Sequence, residues 1–197
     1  MSGRLWAVAA LAGAAVILGG CSSNSHGSTK VEVDLAAIND LVAAANQDAK
    51  NMEGHADTMT SLVSSRPDHA HWENDADTAR ANARSVRFLA DSAAAIARDQ
   101  TLFPAKASAV DLGRLLGDGL NLQALGDMLL KHANAMDAHA KLMRADAAGD
   151  ARLIAVIDQF SADVGAMRSD AQGAIAQGKT LAETARTIAR SIGVKIE

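Results

Sequence analysis

From Leu35 to Val63 the apolar residues return every three or four positions: Leu35, Ile38, Val42, Ala45, Ala49, Met52, Ala56, Met59 and Val63. That spacing is a heptad seam, which winds into one stripe on an α-helix. A long helix with a single apolar stripe is stable only when other helices cover that stripe. The seam therefore commits the chain to a helical assembly. Asp34 is placed to cap its start, and Arg66-Pro67-Asp68 ends it, because proline disfavours helix in the residue before it. At ~1.5 Å per residue the helix is roughly 50 Å long.

Three more segments carry helical spacing. The second runs from about His69 to Arg98, with Trp72, Ala79, Val86, Leu89, Ala93 and Ile96 inward, and Phe103-Pro104 breaks it. In the third, Gly113, Gly117 and Gly119 interrupt a leucine-rich start, which reads as either a short separate helix or a kinked first part. From Leu122 its seam is regular: Leu122, Leu125, Leu129, His132, Met136, His139 and Met143. Ala147-Ala148-Gly149-Asp150 is the next turn, and the last helix spans about Ala151 to Ile192, with Leu153, Ile157, Phe160, Val164, Met167, Ala171, Gly178, Leu181, Ala185, Ile188 and Ile192 inward. The composition agrees: alanine dominates, tyrosine is absent, prolines occur only at Pro67 and Pro104, and no period-two alternation appears. The expected fold is all-α, an up-down-up-down four-helix bundle over residues 32–197, and alanine at many seam positions implies close helix approach. Asp75, Asp77 and Asp91 read as a solvated helix face.

The first residues belong to a different kind of segment. Arg4 precedes an apolar run from Leu5 to Leu18, and small residues lead up to Cys21. That pattern is a secretory signal, expected over residues 1–20, and the run is too short for a confident membrane span. Leu18-Gly19-Gly20-Cys21 resembles the lipobox of bacterial lipoproteins. The resemblance implies that Cys21 becomes the first mature residue and carries the lipid. The implied location is the bacterial cell envelope, anchored to a membrane and facing the extracytoplasmic side. Ser22 at the next position implies the outer membrane if the cell has one. Cys21 is the only cysteine, so no disulfide can form within the chain. Ser22 to Lys30 is rich in serine, glycine and asparagine, so residues 21–31 read as the lipidated cysteine and a flexible tether.

The charge balance excludes one class of partner. The formal net charge is −4, and removing Arg4 with the signal takes it to −5, with no basic patch suited to nucleic acid. No glycine-rich phosphate loop, nucleophile motif or paired catalytic carboxylates appear, so no enzyme activity is expected.

The residues that ask for a function are histidines and methionines. His132 and His139 take seam places where leucine is expected, with Met128, Met136 and Met143 on the same stripe and Met52 and Met59 around His55 in the first helix. Buried imidazoles need partners, so two of them one heptad apart call for a hydrogen-bond network or a ligand. In an up-down-up-down bundle the first and third helices run parallel. Counting back from the turns then matches Met52 with His132, His55 with Met136 and Met59 with His139. Thioether and imidazole together form a soft donor set suited to copper, most plausibly Cu(I), held for sequestration or delivery. The candidate ligands are His55, His132, His139, Met52, Met59, Met136 and Met143. A ferritin-like di-iron centre is disfavoured because no Glu-x-x-His pair is present. Haem fits less well than copper: the chain has no Cys-x-x-Cys-His, and aromatics are scarce. The competing reading is a methionine-rich core with structural histidines, in a lipoprotein that works by contacting another envelope protein.

Overall fold

A computed structural model describes residues 35–101 and 107–196. The expected signal, Cys21, the tether, the Asp34 cap and the Phe103-Pro104 break lie outside the described residues. Four helices follow one another: α1 (Ala36–Val63), α2 (His69–Thr101), α3 (Ala109–Asp146) and α4 (Ala151–Ser191). Among the described residues there is no strand.

Cross-helix pairs give direction and register. Glu53 meets Arg87 and Asp57 meets Arg80 between α1 and α2. Asp75 meets His139 and Gln100 meets Asp118 between α2 and α3. His55 meets Asp163 between α1 and α4. In the α1–α2 and α2–α3 pairs later residues on one helix meet earlier residues on the next, and the approaches of Gly119 to Gly178 and Gly126 to Ala171 do the same for α3 and α4, so consecutive helices are antiparallel and the bundle is up-down-up-down, as expected from the short turns. The helices sit in cyclic order, with α1 and α3 on one diagonal and their backbones apart.

The tightest seam joins α3 to α4. A Cβ on Gly119 would lie 2.6 Å from the Gly178 carbonyl oxygen, and one on Gly126 2.6 Å from the Ala171 carbonyl oxygen. These glycines let two backbones touch where any side chain would hold them apart. They also settle the start of α3. The glycines do not break it, because Gly119 and Gly126 are packed against α4 and the helix runs unbroken from Ala109. Ser108 and Asp111 form a reciprocal capping box at its start.

The larger apolar core, with Ile38, Met52, Leu89, Leu122, Leu129, Met136 and Met167, occupies the middle and the end where α1 begins. A second core at the opposite end gathers Met59, Trp72, Met143, Ile157 and Phe160. There Arg66 reaches Asp68 at 2.8 Å and Asp150 at 2.7 Å, tying the α1–α2 turn to the α3–α4 turn. Asp150 is also the N-cap of α4, accepting from the backbone N–H groups of Arg152 and Leu153. Trp72 donates its indole N–H to Asp68, which its Arg66 partner holds well below the usual carboxylate range.

Candidate functional site

On α2 the residues His71, Asn74, Asp75, Thr78, Asn82 and Ser85 recur at helical spacing and share a face. That face looks toward His132, Met136 and His139 of α3 across a groove of about 710 Å³. The groove exists because α2 and α3 make the narrowest contact of any neighbouring pair in the bundle. Short polar side chains line it where interlocking apolar ones would close it.

Its fixed point is Asp75. This carboxylate is buried, at 5% exposure, on the inner edge of α2 one turn beyond Trp72. The expectation that Asp75 belongs to a solvated face is therefore corrected. Its spacing from Trp72 and Ala79, three and four positions, already places it on the inward stripe, whereas Asp77 and Asp91 are exposed as expected. Oδ1 of Asp75 accepts a hydrogen bond from Nε2 of His139 at 2.7 Å. Oδ2 is buried with no hydrogen-bond partner, and Nε2 of His71 stands 3.7 Å from it. That same His71 nitrogen lies 3.6 Å from Asp146 on α3. An ionised carboxylate only accepts, so Nε2 of His139 is the donor to it, and in the neutral imidazole Nδ1 keeps its lone pair. A histidine that donates one ring N–H to a carboxylate and keeps the other nitrogen for an ion is the usual arrangement behind a metal.

The seven proposed ligands do not share one place. His132, His139 and Met136 line the groove. His132 is exposed, because it sits one position off the inward stripe formed by Leu129, Ala133 and Met136. His139 is half-buried beside the same stripe. Met52 shares the larger core with Met136, and Met59 shares the second core with Met143. The matched layers thus bring methionine toward methionine in the interior, while the histidines leave sideways: His139 toward α2 and His55 toward α4. With α1 and α3 on a diagonal, the expected facing of Met52 with His132 and Met59 with His139 does not occur. Among the described residues no three His, Cys, Asp or Glu side chains are grouped to hold an ion. His71 joins the groove although the sequence offers no reason beyond its nearness to the same end. His69 is exposed and its Nδ1 meets the Arg66 carbonyl oxygen at 2.9 Å.

A second histidine–carboxylate pair lies between α1 and α4, where Nδ1 of His55 donates to Asp163 at 2.6 Å. One heptad away on both helices stand Asp48 and Asp170. Burial raises Asp163 above the usual carboxylate range despite the imidazole beside it. Asp170 is pushed up to about 7, first by burial and then by the nearby Asp48. One oxygen of Asp170 is buried without a partner, which suits a carboxyl that holds a proton. Sequence reasoning missed Asp163 and Asp170. Their signal is position: each directly precedes an inward residue, Val164 or Ala171, on the flank of the α4 stripe.

Neither a protein-family model, nor a curated protein, nor a solved structure matches this chain.

Proposed function

We propose that the chain is a lipid-anchored extracytoplasmic bundle that binds a copper ion in the α2–α3 groove, for sequestration or delivery and without catalysis. The observation that supports this reading is the groove's lining, with imidazoles from His71, His132 and His139, the Met136 thioether, and the buried Asp75 orienting His139; these side chains are not gathered at one point, so an ion would have to draw them together. Two imidazoles with a thioether bind Cu(I) well and accept Cu(II). Because the histidines are solvent-accessible, an ion can enter and leave without the bundle opening, which suits exchange with a partner better than deep storage. His55, Met52, Met59 and Met143 serve the fold in this reading, as an ion pair and as core.

Trp72 reports on the site. The His71 and Trp72 rings meet edge-on with centroids 5.2 Å apart. Cu(II) added to the mature chain, with Cys21→Ser to remove the competing thiol, should quench Trp72 fluorescence until one ion is bound and then stop. His71→Gln should weaken the quenching. Quenching that never saturates, or that ignores His71, would contradict the assignment.

The alternative reading, an envelope interaction module with structural histidines, draws on the apolar residues that continue the two groove-lining faces. Phe88 on α2 is 56% exposed and Met128 on α3 is 38% exposed.

A further inference from the structure

We infer that the end of the bundle holding the α1 start and the α4 terminus docks on an anionic phospholipid surface, keeping the histidine groove away from the membrane. This rests on the lipid-anchored reading of Cys21. Residues 22–34 separate Cys21 from Leu35 and can span at most about 45 Å. The 41-residue α4 is roughly 60 Å long. That length limits how far the bundle lies from the anchor but does not by itself fix whether it stands or lies down. Something on the protein surface must choose.

The terminus of α4 supplies it. Gly193 adopts φ 70°, a left-handed conformation that glycine accepts readily. The N–H of Val194 then bonds to the Ala189 carbonyl oxygen at 2.8 Å, and that of Gly193 to Arg190 at 3.3 Å. This Schellman turn folds the tail back over the bundle end. Ile196 packs against Leu112 and Ile188 and, like Leu35, against the larger core, so the start of α1, the start of α3 and the tail share one end. A depression of about 410 Å³ opens among Arg186, Arg190, Val194, Lys195 and Ile196. Among the described residues neither Arg186 nor Arg190 has a carboxylate partner, and Arg190 donates instead to the Arg186 carbonyl and to Thr187. Arg66, Arg80, Arg87 and Arg144, farther from this end, are paired with carboxylates, whereas Arg84 donates to a carbonyl oxygen and Arg168 to Asn134. Two apolar side chains project at the same end, Val110 at 72% and Ile192 at 38% exposure. The described acids toward this end include Asp111, engaged in the Ser108 capping box, Glu183, one turn back on α4, Asp40 near the start of α1 and Asp99 near the end of α2. Arg186 and Arg190, without carboxylate partners among the described residues and beside exposed apolar side chains, match the two layers of an anionic bilayer interface, headgroup charge above acyl chain.

The test uses the only cysteine. The mature chain is coupled through Cys21 to a maleimide lipid in vesicles containing brominated acyl chains, so anchoring does not depend on whether the cell lipidates that residue. Val110→Trp places a reporter at the docking end, while Trp72 reports from the far end. In vesicles with about one-third phosphatidylglycerol, bromine should quench the added tryptophan and leave Trp72 bright. Arg186→Glu with Arg190→Glu should abolish that quenching, and removing two cations should lower surface affinity at least thirtyfold or so. An unquenched Val110→Trp reporter, equal quenching of Trp72, or quenching indifferent to the two arginines would overturn the inference. Intact-mass analysis of the cell-made protein tests the lipid on Cys21 separately. An unmodified cysteine there would remove the anchor while leaving the vesicle result to stand on its own.

Discussion

His139→Leu separates two accounts of the histidines. If His139 only occupies a seam position, leucine restores an apolar stripe and the variant is at least as stable as the wild type. The structure predicts the reverse. Asp75 is 5% exposed, Oδ1 depends on the His139 N–H at 2.7 Å, and Oδ2 has no hydrogen-bond partner. Leucine at 139 leaves a buried carboxylate with no hydrogen-bond donor. Breaking a fully buried ion pair costs about 3–5 kcal/mol, and leaving a buried polar group unsatisfied about 1–3 kcal/mol. The His139 side chain is 36% exposed, so water can approach from its side. The lower range therefore applies, and about 2 kcal/mol is expected. Replacing both partners, Asp75→Leu with His139→Leu, removes the orphan and should recover most of that loss, to within about 1 kcal/mol of the wild type. Urea unfolding followed by circular dichroism at 222 nm, at pH 7 and without metal, measures both. In a domain of this size a loss of about 2 kcal/mol lowers the melting temperature by roughly 4–8 °C. A single variant within about 0.5 kcal/mol of the wild type, or a double variant no better than the single, would refute the reasoning.

Three other expectations follow from packing and burial. Gly178→Ala should destabilise the bundle by about 2 kcal/mol or more in chemical unfolding, because the new Cβ would lie 2.5 Å from the Gly119 carbonyl oxygen and 2.8 Å from the Gln123 backbone nitrogen. Gly54→Ala, with nothing within 4 Å of the added carbon, should stabilise it by about 0.5–1 kcal/mol. Asp170 makes stability depend on pH. Its folded pKa of about 7 lies above the ordinary value near 4, so between those pH values the folded chain binds the proton and the unfolded chain does not. Its stabilising contribution is complete below about 4 and fades as the pH rises through about 7. Asp170→Asn, which stays neutral, should gain stability relative to the wild type between pH 5 and pH 8. A difference that is constant across that range would falsify the assignment.

What the sequence made legible was periodicity. The α1 stripe of Ala45, Ala49, Met52, Ala56, Met59 and Val63 is buried as the spacing demands, and so are Trp72, Val86 and Leu89 of α2. Both turns with visible stop signals, around Pro67 and Gly149, fall where α1 and α3 end. Lateral aim was harder to read. A heptad stripe tells which side of a helix faces inward but not which neighbour receives its flanks. His55 and His139 sit on flanks, so their partners depended on the cyclic order of the helices. Helix order also put α1 and α3 on a diagonal, which separated the two halves of the expected ligand set. The buried acids were hidden for a different reason. Spacing can place an aspartate at a stripe edge, but not name what it meets there, and only the pairs Asp75–His139 and Asp163–His55 show an imidazole from another helix. Of the three α3 glycines that looked like breaks, Gly119 proved to be a contact point, because its role is set by α4, which comes later in the chain, while the helix runs through Gly113 and Gly117 with nothing within 4 Å of an added Cβ.

The central claim is that His71, His132 and His139 make the α2–α3 groove a copper site. Its most direct test is competition for Cu(I) against a chromogenic chelator under anaerobic conditions, using the untagged mature chain with Cys21→Ser so that no thiolate contributes. The comparison is a variant with His71→Gln, His132→Gln and His139→Gln, in which the glutamine amide at position 139 can still donate to Asp75 and preserve the fold. The account predicts that the parent chain takes one copper ion from the chelator and that the triple variant takes none while melting within a few degrees of it. A parent chain that leaves the chelator fully loaded, or a triple variant that competes equally well, would contradict it.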